Sequence, residues 1–356
     1  MYLQDIGNSA LQISYLAAVM MVTKVVAPSF WSWIIQHHIS RMSAIRWGAL
    51  LAVLAFTYIF IDTSFWAIAG VIAAYSFFWN AILPQFEVIT LGHLGDKHAL
   101  YSRVRLWGSI GFVIPVACLG FIFDLISLRW LPHILATFLL LMWLTSLLIP
   151  KPISENNKTE ESVLWTLKNR VIWSFILVNV LLQIAHGPYY TFYSIYMEQF
   201  GYSRAAIGGL WSLGVMAEIM LFAFMHKVWG RFSLRGVVLF SLALTTARWL
   251  MIALMPTSVP LMIAAQLIHA LSYGSMHAAA VEFVRRQLPE SVQGGGMALY
   301  FGVAFGVGGA IGALLSGYLW QYNPASIFLM AAACSALAWL LSCYGLHLQP
   351  AHSLKR

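Results

Sequence analysis

Long apolar stretches separated by short polar connections fill almost the whole chain of 356 residues. A membrane-spanning helix needs about 20 predominantly apolar residues, and eleven stretches meet that requirement. The one long connection, residues 150–170, combines Pro, Asn and Ser with mixed charges, which indicates a solvated linker. The pattern therefore predicts an all-α polytopic membrane protein. The predicted spans are residues 10–34, 44–62, 65–91, 107–127, 130–149, 171–197, 204–227, 236–256, 259–283, 292–319 and 325–347.

The chain also repeats itself. Residues Tyr2–Ser9 (YLQDIGNS) match Tyr196–Ser203 (YMEQFGYS), and the same offset of 194 residues places Lys24 on Glu218. Duplicated helix bundles are typical of secondary transporters, whose two halves rock about a site near the bilayer midplane. The repeat predicts two pseudo-symmetric bundles. Their expected boundaries are an N-terminal bundle at 1–149, a cytoplasmic linker at 150–170, a six-helix bundle at 171–347 and a tail at 348–356.

The two halves differ at their starts. The second half has a span, residues 171–197, before its copy of the repeated segment, whereas the first half opens on that segment. By symmetry the first bundle has five helices and lacks its first one, a segment of about 25 residues. An internal start, a lost helix and an inactive relic all remain open as explanations.

Composition agrees with a membrane location. Hydrophobic residues make up 61% of the chain and charged residues 9%, against about 45–50% and about 25% in soluble proteins. Most Lys and Arg lie in one set of connections, which the positive-inside rule places in the cytoplasm together with the linker and the C-terminus. The net charge of +8 is therefore a topological signal and indicates no nucleic-acid partner. Short loops favour a bacterial inner-membrane protein, which we expect to be a monomer.

No catalytic, cofactor or metal-binding pattern accompanies the spans. The three cysteines, Cys118, Cys334 and Cys343, all lie within apolar stretches and have no spacing typical of a metal site. We therefore expect no cofactor, no metal and no enzymatic activity. The informative residues are the ionisable groups near the middle of spans, since each costs roughly 2.5–3.5 kcal/mol there on insertion scales. They are Lys24, His186, Glu218, Arg248, His269 and His277.

The acidic residue Glu218 is the first candidate for proton coupling, because a carboxyl group within a span can change protonation as water access alternates. The alternative is a fixed ion pair with Arg248 that locks two helices together. Arg248 stays charged and could also hold a substrate carboxylate through two hydrogen bonds. His269 could relay the proton to Glu218. His277, eight residues further along nearly the same helix face, is a weaker candidate for substrate binding, and a packing role is the alternative for both histidines.

Further substrate-binding candidates lie in both halves. Lys24, at the repeat position of Glu218, could contact a substrate anion, or its charge could be satisfied by the missing helix. His186 precedes a Gly187-Pro188 pair that is expected to loosen the helix. Tyr189, Tyr190 and Tyr193 offer rings and hydroxyl groups suited to a ring-bearing substrate, unless they belong to an interfacial aromatic belt.

Four charged residues near the cytoplasmic helix ends are candidates for gating. Their ion pairs are expected to form when the cytoplasmic side closes. The set consists of Glu87, Arg105, Glu282 and Arg285.

The chain resembles the major facilitator superfamily, in the branch that contains lactose permease, nucleoside:proton symporters and the 3-phenylpropionate permease group. The matching segments are PQFEVITLGHLGD (84–96), YSRVRLWGSIGF (101–112), HGPYYTFYSIYMEQFGYS (186–203), LWSLGVMAEI (210–219) and HALSYGSMHAAAVEF (269–283). Within this branch the chain is most similar to the phenylpropionate permease group.

The resemblance implies a twelve-helix fold, alternating access and proton symport. Glu218 and Arg248 match the coupling glutamate and binding arginine of lactose-permease-like members, and His269 matches their histidine without its neighbouring carboxylate. The superfamily loop motif is reduced, because SWIIQHHISR (32–41) keeps little beyond Arg41. We expect proton-coupled uptake of a small aromatic carboxylate. The alternatives are a nucleoside or oligosaccharide:proton symporter, or a truncated membrane protein that does not transport.

Overall fold

The computed structural model describes residues 1–94, 101–150, 170–229, 231–289 and 292–346. Its described part contains eleven helices long and apolar enough to cross a membrane, and their ends differ from the predicted spans by no more than four residues. The predicted all-α fold class is therefore confirmed. The linker 151–169, the tail 348–356 and the side chain of Arg105 lie outside the described residues.

The helices are numbered in chain order. They are α1 (Tyr2–Asp5), α2 (Ala10–His37), α3 (Arg41–Thr57), α4 (Phe65–Leu94), α5 (Tyr101–Leu125), α6 (Leu131–Leu148), α7 (Arg170–Gln199), α8 (Arg204–Trp229), α9 (Leu234–Leu254), α10 (Val259–His269), α11 (Ser275–Gln287), α12 (Gln293–Leu299), α13 (Gly309–Trp320) and α14 (Ser326–Gly345). Two π-helical segments, Ala270–Gly274 and Tyr300–Gly308, join α10 to α11 and α12 to α13.

The internal repeat is visible in the backbone. Gly7 and Gly201 occupy equivalent places in it, and both have a left-handed φ, +92° and +83°, the only positive values among the described residues. Two residues later a serine begins the next span in each half: Ser9 Oγ accepts from the Gln12 amide at 3.2 Å, and Ser203 Oγ accepts from the Ala206 amide at 3.1 Å. Glycine adopts this φ without a Cβ clash, and a capping serine satisfies an amide that the helix leaves free. The two halves therefore share the same turn.

The chain divides into two compact units. Unit 1 comprises residues 1–110 and 126–158, and unit 2 comprises residues 111–125 and 159–356. In unit 1, α4 packs against α2 and α3, and α3 also packs against α6. Arg46 of α3 donates to the carbonyl of Ile149 at 3.1 Å, just beyond the C-terminus of α6. This arginine satisfies a carbonyl that has no partner within its own helix.

In unit 2, α7 and α9 both pack against α14, and α7 also packs against α13. Helix α7 is continuous through Pro188, so the break expected at Gly187-Pro188 does not occur. Gly187 instead lets two backbones meet: a Cβ added there would lie 2.3 Å from the carbonyl carbon of Gly312 in α13. Glycine at this position serves close helix packing, as is common in membrane bundles.

The end of α5 belongs to unit 2 because it packs on the start of α8. Asp124 accepts hydrogen bonds from the amides of Arg204 at 2.8 Å and Ala205 at 3.0 Å. Close by, a Cβ added to Gly120 would lie 3.2 Å from the Cα of Gly208. A carboxylate on the first amides of a helix is favourable for both hydrogen bonding and the helix dipole.

Candidate substrate and proton site

A group of aromatic rings occupies the middle of unit 2. Tyr189 and Tyr193 of α7 are buried, and the Tyr189 ring lies 4.2 Å from that of Trp211 on α8. Tyr190 is 44% exposed, and its ring centroid lies 6.3 Å from that of Tyr273 in the π-helical segment Ala270–Gly274. We call these rings, together with Trp249 of α9, the aromatic cluster. The three predicted tyrosines thus lie within one cluster that has a buried interior and an accessible side.

Arg248 of α9 lies inside this cluster and is 0% exposed. Its guanidinium carbon is 4.3 Å from the ring centroids of both Tyr189 and Trp249, and its Nε donates to the carbonyl of Ala265 at 3.0 Å. The terminal nitrogens, Nη1 and Nη2, have no hydrogen-bond partner within the described residues. Aromatic faces compensate only part of the cost of a buried cation. An anion with two acceptor oxygens would complete the site.

Two histidines border the guanidinium. His186 of α7 is fully buried, and its ring lies 4.9 Å from Trp249 and 4.8 Å from Tyr273. His269 stacks on Tyr273 at 5.2 Å with an interplanar angle of 11°. One ring nitrogen of each, Nε2 of His186 and Nδ1 of His269, is buried and has no hydrogen-bond partner among the described residues. The indole Nε1 of Trp249 is also buried and has no hydrogen-bond partner among the described residues. Several buried polar atoms around Arg248 thus have no hydrogen-bond partner among the described residues.

Glu218 of α8 faces His269. Its Oε2 lies 3.9 Å from His269 Nε2, and its side chain is 19% exposed. The missing side chain of Gly274 makes room for it, because a Cβ there would lie 2.9 Å from Glu218 Cγ. The terminal nitrogens of Arg248 make no hydrogen bond to Glu218 in the described structure. The fixed ion pair between these two residues, the alternative considered from the sequence, stays a prediction. The carboxyl group is therefore next to a titratable partner and is not fully buried.

Gln266 of α10 is a central residue that the sequence did not indicate. It is fully buried, accepts from the Tyr189 hydroxyl at 2.8 Å and donates to the Tyr193 hydroxyl at 2.7 Å. Trp211, Trp249 and Tyr273 were not predicted either, because in apolar spans only charged side chains, histidines and the run of tyrosines at 189–193 stand out from the sequence. The spacing of Gln266 three residues before His269 was a usable signal, since it places both on one helix face.

The two histidines that the sequence placed along nearly one helix face, His269 and His277, contact different rings. His277 contacts Phe222, Tyr300 and Phe301 at ring distances of 6.0–6.5 Å, whereas His269 contacts the aromatic cluster. The intervening π-helical segment Ala270–Gly274 holds more residues per turn than an α-helix. The α-helical period on which the sequence-based prediction relied therefore does not hold between the two residues.

Lys24 belongs to unit 1, on α2, and its side chain is exposed. It makes no hydrogen bond or ion pair within the part of the chain that the structure describes. Beside it, Thr23 shares a hydrogen bond with Ser76 at 2.8 Å and accepts another from Asn80 at 2.9 Å. Unit 1 thus presents a cation and a polar network in the middle of a span.

The candidate gating residues are placed as follows. Glu282 accepts two hydrogen bonds from Arg285, at 2.6 and 2.7 Å, and one from Arg286, all within α11. Ion pairs at this spacing stabilise the helix that carries them. Glu87 lies on α4 in unit 1. Gating by these residues stays a prediction.

Eleven spans that carry a buried cation, an aromatic cluster and a partly exposed carboxyl group are typical of a multi-pass membrane transporter, and comparison with known proteins agrees that this is a transporter and not an enzyme. The chain belongs to the MFS_1-like family, whose model matches residues 1–330.

Two relatives illustrate the family. The chain is 31% identical to the "Probable 3-phenylpropionic acid transporter" of Escherichia coli (strain K12) over 82% of this chain and 79% of that protein. It is 26% identical to the "Maltose permease" of Geobacillus stearothermophilus over 74% of this chain and 67% of that protein.

Solved structures share the fold. A mutant form of the nucleoside transporter NupG superposes with a TM-score of 0.86 at 15% identity, covering 96% of this chain and 93% of that one. A bacterial homologue of the iron transporter ferroportin, in its inward-facing state, gives a TM-score of 0.72 at 16% identity over 98% and 93% of the two chains. At these identities the likeness concerns the major facilitator fold alone.

Proposed function

We propose that this protein takes up a small aromatic carboxylate together with a proton, by alternating access, as a monomer in a bacterial inner membrane with its C-terminus in the cytoplasm. The observation that carries the proposal is the buried guanidinium of Arg248, whose two terminal nitrogens have no hydrogen-bond partner among the described residues. A carboxylate matches this fork with two parallel hydrogen bonds. The relative named for 3-phenylpropionic acid supports this class of substrate.

The aromatic ring of the proposed substrate would pack beside the same guanidinium. Tyr189 and Trp249 flank the guanidinium, so an aryl group attached to a bound carboxylate would lie among aromatic rings. Offset or edge-on packing of such rings contributes about 0.5–1.5 kcal/mol beyond the area that it buries. The exposed side of Tyr190 offers an entrance to this surface.

In unit 1, taken by itself, Lys24 is a further candidate for contact with a substrate anion. At 100° per residue, Lys24 lies roughly opposite the exposed apolar residues Val22 and Val26 and close to the helix face of buried Trp31. An exposed ammonium away from the apolar face of its helix is suited to a water-filled path. The proposal also includes two secondary roles. His277 is a further candidate for substrate binding, and the gating candidates are Glu87, Arg105, Glu282 and Arg285.

The test of the substrate class is uptake of radiolabelled 3-phenylpropionate into proteoliposomes under an imposed pH gradient. We expect uptake that ends when the gradient is collapsed. Unlabelled 3-phenylpropionate should compete about 100-fold better than 3-phenylpropionamide, because hydrogen bonds to charged partners contribute about 1.5–3 kcal/mol. Equal competition by acid and amide would overturn the carboxylate assignment.

Proton coupling by Glu218 gives a second prediction. Glu218→Gln keeps the shape of the side chain but removes its proton, so gradient-driven accumulation should be lost while exchange of labelled for unlabelled substrate continues. The matched control is Glu198→Gln on α7, which removes a carboxylate paired with Arg204 at 3.1 Å. The control should accumulate substrate as the unchanged protein does. Normal accumulation by Glu218→Gln would show that the proton is carried elsewhere.

A nucleoside or oligosaccharide is the second candidate substrate. The Tyr189–Gln266–Tyr193 hydrogen-bond chain favours it, since amide and hydroxyl groups are suited to neutral polar ligands. The maltose permease and the nucleoside transporter NupG support it through fold and family. Uptake of uridine or maltose, with no competition by any carboxylate in the panel, would favour this candidate. No uptake of any compound would favour a protein that does not transport.

A further inference from the structure

The hydrogen-bond direction at His186 is fixed by its backbone partner. Nδ1 lies 2.8 Å from the carbonyl oxygen of Leu182, one turn earlier on α7. A carbonyl oxygen can only accept, so Nδ1 carries the hydrogen. In the neutral ring, Nε2 is then left with a lone pair and acts as an acceptor.

The surroundings of His186 favour that neutral ring. The side chain is fully buried, and both it and the Arg248 guanidinium pack against the indole of Trp249. A second positive charge in so dry a place, beside a guanidinium whose terminal nitrogens have no hydrogen-bond partner among the described residues, would be costly. His186 Nε2 is therefore a buried acceptor, and it has no donor within the described structure.

His269 repeats this arrangement beside the same tyrosine, with its ring centroid 6.3 Å from that of His186. Its Nε2 faces the Glu218 carboxylate at 3.9 Å, which favours the hydrogen on Nε2 and a lone pair on Nδ1. Nδ1 is also buried and without a partner in the described part of the chain. The site thus combines a donor fork on Arg248 with acceptors on two histidines. A ligand that only accepts would leave the acceptors unsatisfied, at a cost of about 1–3 kcal/mol each.

We propose that His186 is a specificity-determining residue that accepts a hydrogen bond from a hydroxyl group of the substrate, so that the preferred substrate is a hydroxylated aromatic carboxylate. This inference rests on the proposed function, because it assumes that Arg248 binds the carboxylate. The hydroxyl group donates to Nε2 of His186 while both carboxylate oxygens accept from Arg248. Analogues that lack such a hydroxyl group should bind more weakly, because they leave a buried acceptor unpaired.

The experiment compares four competitors of labelled 3-phenylpropionate uptake in proteoliposomes. They are unlabelled 3-phenylpropionate, its ring-hydroxylated derivative, its 2-hydroxy derivative (3-phenyllactate) and the ring-methoxy derivative. The methoxy compound is the matched ligand control, because it adds an oxygen and bulk at the ring but has no hydrogen to donate. We expect one of the hydroxylated acids to compete about three- to tenfold better than both the plain and the methoxy acid, as one net hydrogen bond implies.

The protein variant that tests the residue is His186→Phe, which keeps a ring against Trp249 and Tyr273 but removes the acceptor. The preference for the hydroxylated acid should fall to about one in this variant. His133→Phe is the matched control, since His133 is an exposed residue of α6 that packs on Phe60 at 4.7 Å. It should keep the preference.

Failure of this inference is distinct from failure of the proposed function. Uptake of 3-phenylpropionate with no advantage for either hydroxylated acid in the unchanged protein would overturn the role of His186 alone. The role of His186 would also be overturned if the hydroxylated acid kept its advantage in His186→Phe. No carboxylate uptake at all would overturn the proposed function. Since the ligand series needs no variant, the inference can be rejected even if His186→Phe does not fold.

Discussion

Replacing Arg248 with methionine is expected to reduce uptake of 3-phenylpropionate by about 100-fold or more, while the protein remains folded. The loss in uptake follows from removal of the fully buried cation of the aromatic cluster, since truncating one partner of a buried charge pair costs about 2–5 kcal/mol. The fold should persist because the guanidinium has a single hydrogen bond, from Nε to the Ala265 carbonyl, in the described structure. Methionine is apolar, similar in length and favourable against aromatic rings.

Thermal unfolding and ligand competition together check this prediction. We expect the unfolding temperature of Arg248→Met to equal or exceed that of the unchanged protein, because an uncompensated buried charge has been removed. Arg235→Met is the matched control: its guanidinium donates to the Cys343 carbonyl at 2.6 Å near the end of α14. That variant should lose some stability but keep its preference for the acid over the amide. Arg248→Met with unchanged acid selectivity would contradict an anion site at this residue.

Adding one methyl group at Gly187 is expected to destabilise unit 2. In the structure, the new Cβ would lie 2.3 Å from the carbonyl carbon and 2.6 Å from the Cα of Gly312. Backbone atoms of two packed helices cannot move aside as a flexible side chain can, so α7 and α13 would have to separate. Overpacking of a tight core typically costs about 1–3 kcal/mol, and a clash with backbone lies at the upper end of this range or beyond.

The measurement is the yield of monodisperse protein after detergent extraction, together with its unfolding temperature. Gly187→Ala and Gly312→Ala should both lower the two quantities, because each Cβ meets the backbone of the other helix. Gly209→Ala on α8 is the control, since a Cβ there has no atom within 4 Å. If Gly187→Ala were as stable as Gly209→Ala, the close crossing of α7 and α13 would be wrong.

The spans and the repeat could be predicted from the sequence because both depend on local chemistry. A helix in a bilayer must be apolar over about 20 residues, and this length is visible without any tertiary information. The same reasoning found Glu218, Arg248, His186 and His269, since ionisable groups stand out in apolar segments. The structure places these four residues in one site.

The rest of the site depends on tertiary structure. Gln266 carries no charge, and Trp211 resembles any other tryptophan in a span, so neither stands out before the helices are packed. The π-helical segment Ala270–Gly274 changes which residues share a face, and a prediction that assumes the α-helical period cannot anticipate this change. The Gly187-Pro188 pair suggested a break because both residue types disfavour a helix interior. Its packing role was not visible, because the partner residue, Gly312, lies 125 residues away in the chain.

The two left-handed turns, at Gly7 and Gly201, are the backbone feature that two copies of one duplicated segment would be expected to keep. The main requirement at a lipid-facing position is an apolar side chain, which many residue types meet. The sequences of two copies of a span can therefore diverge freely. A turn that needs a positive φ, followed two residues later by a capping serine, accepts far fewer types. Ancient gene duplications in membrane proteins should therefore be traced through the turns between their helices, where backbone geometry limits what mutation can change.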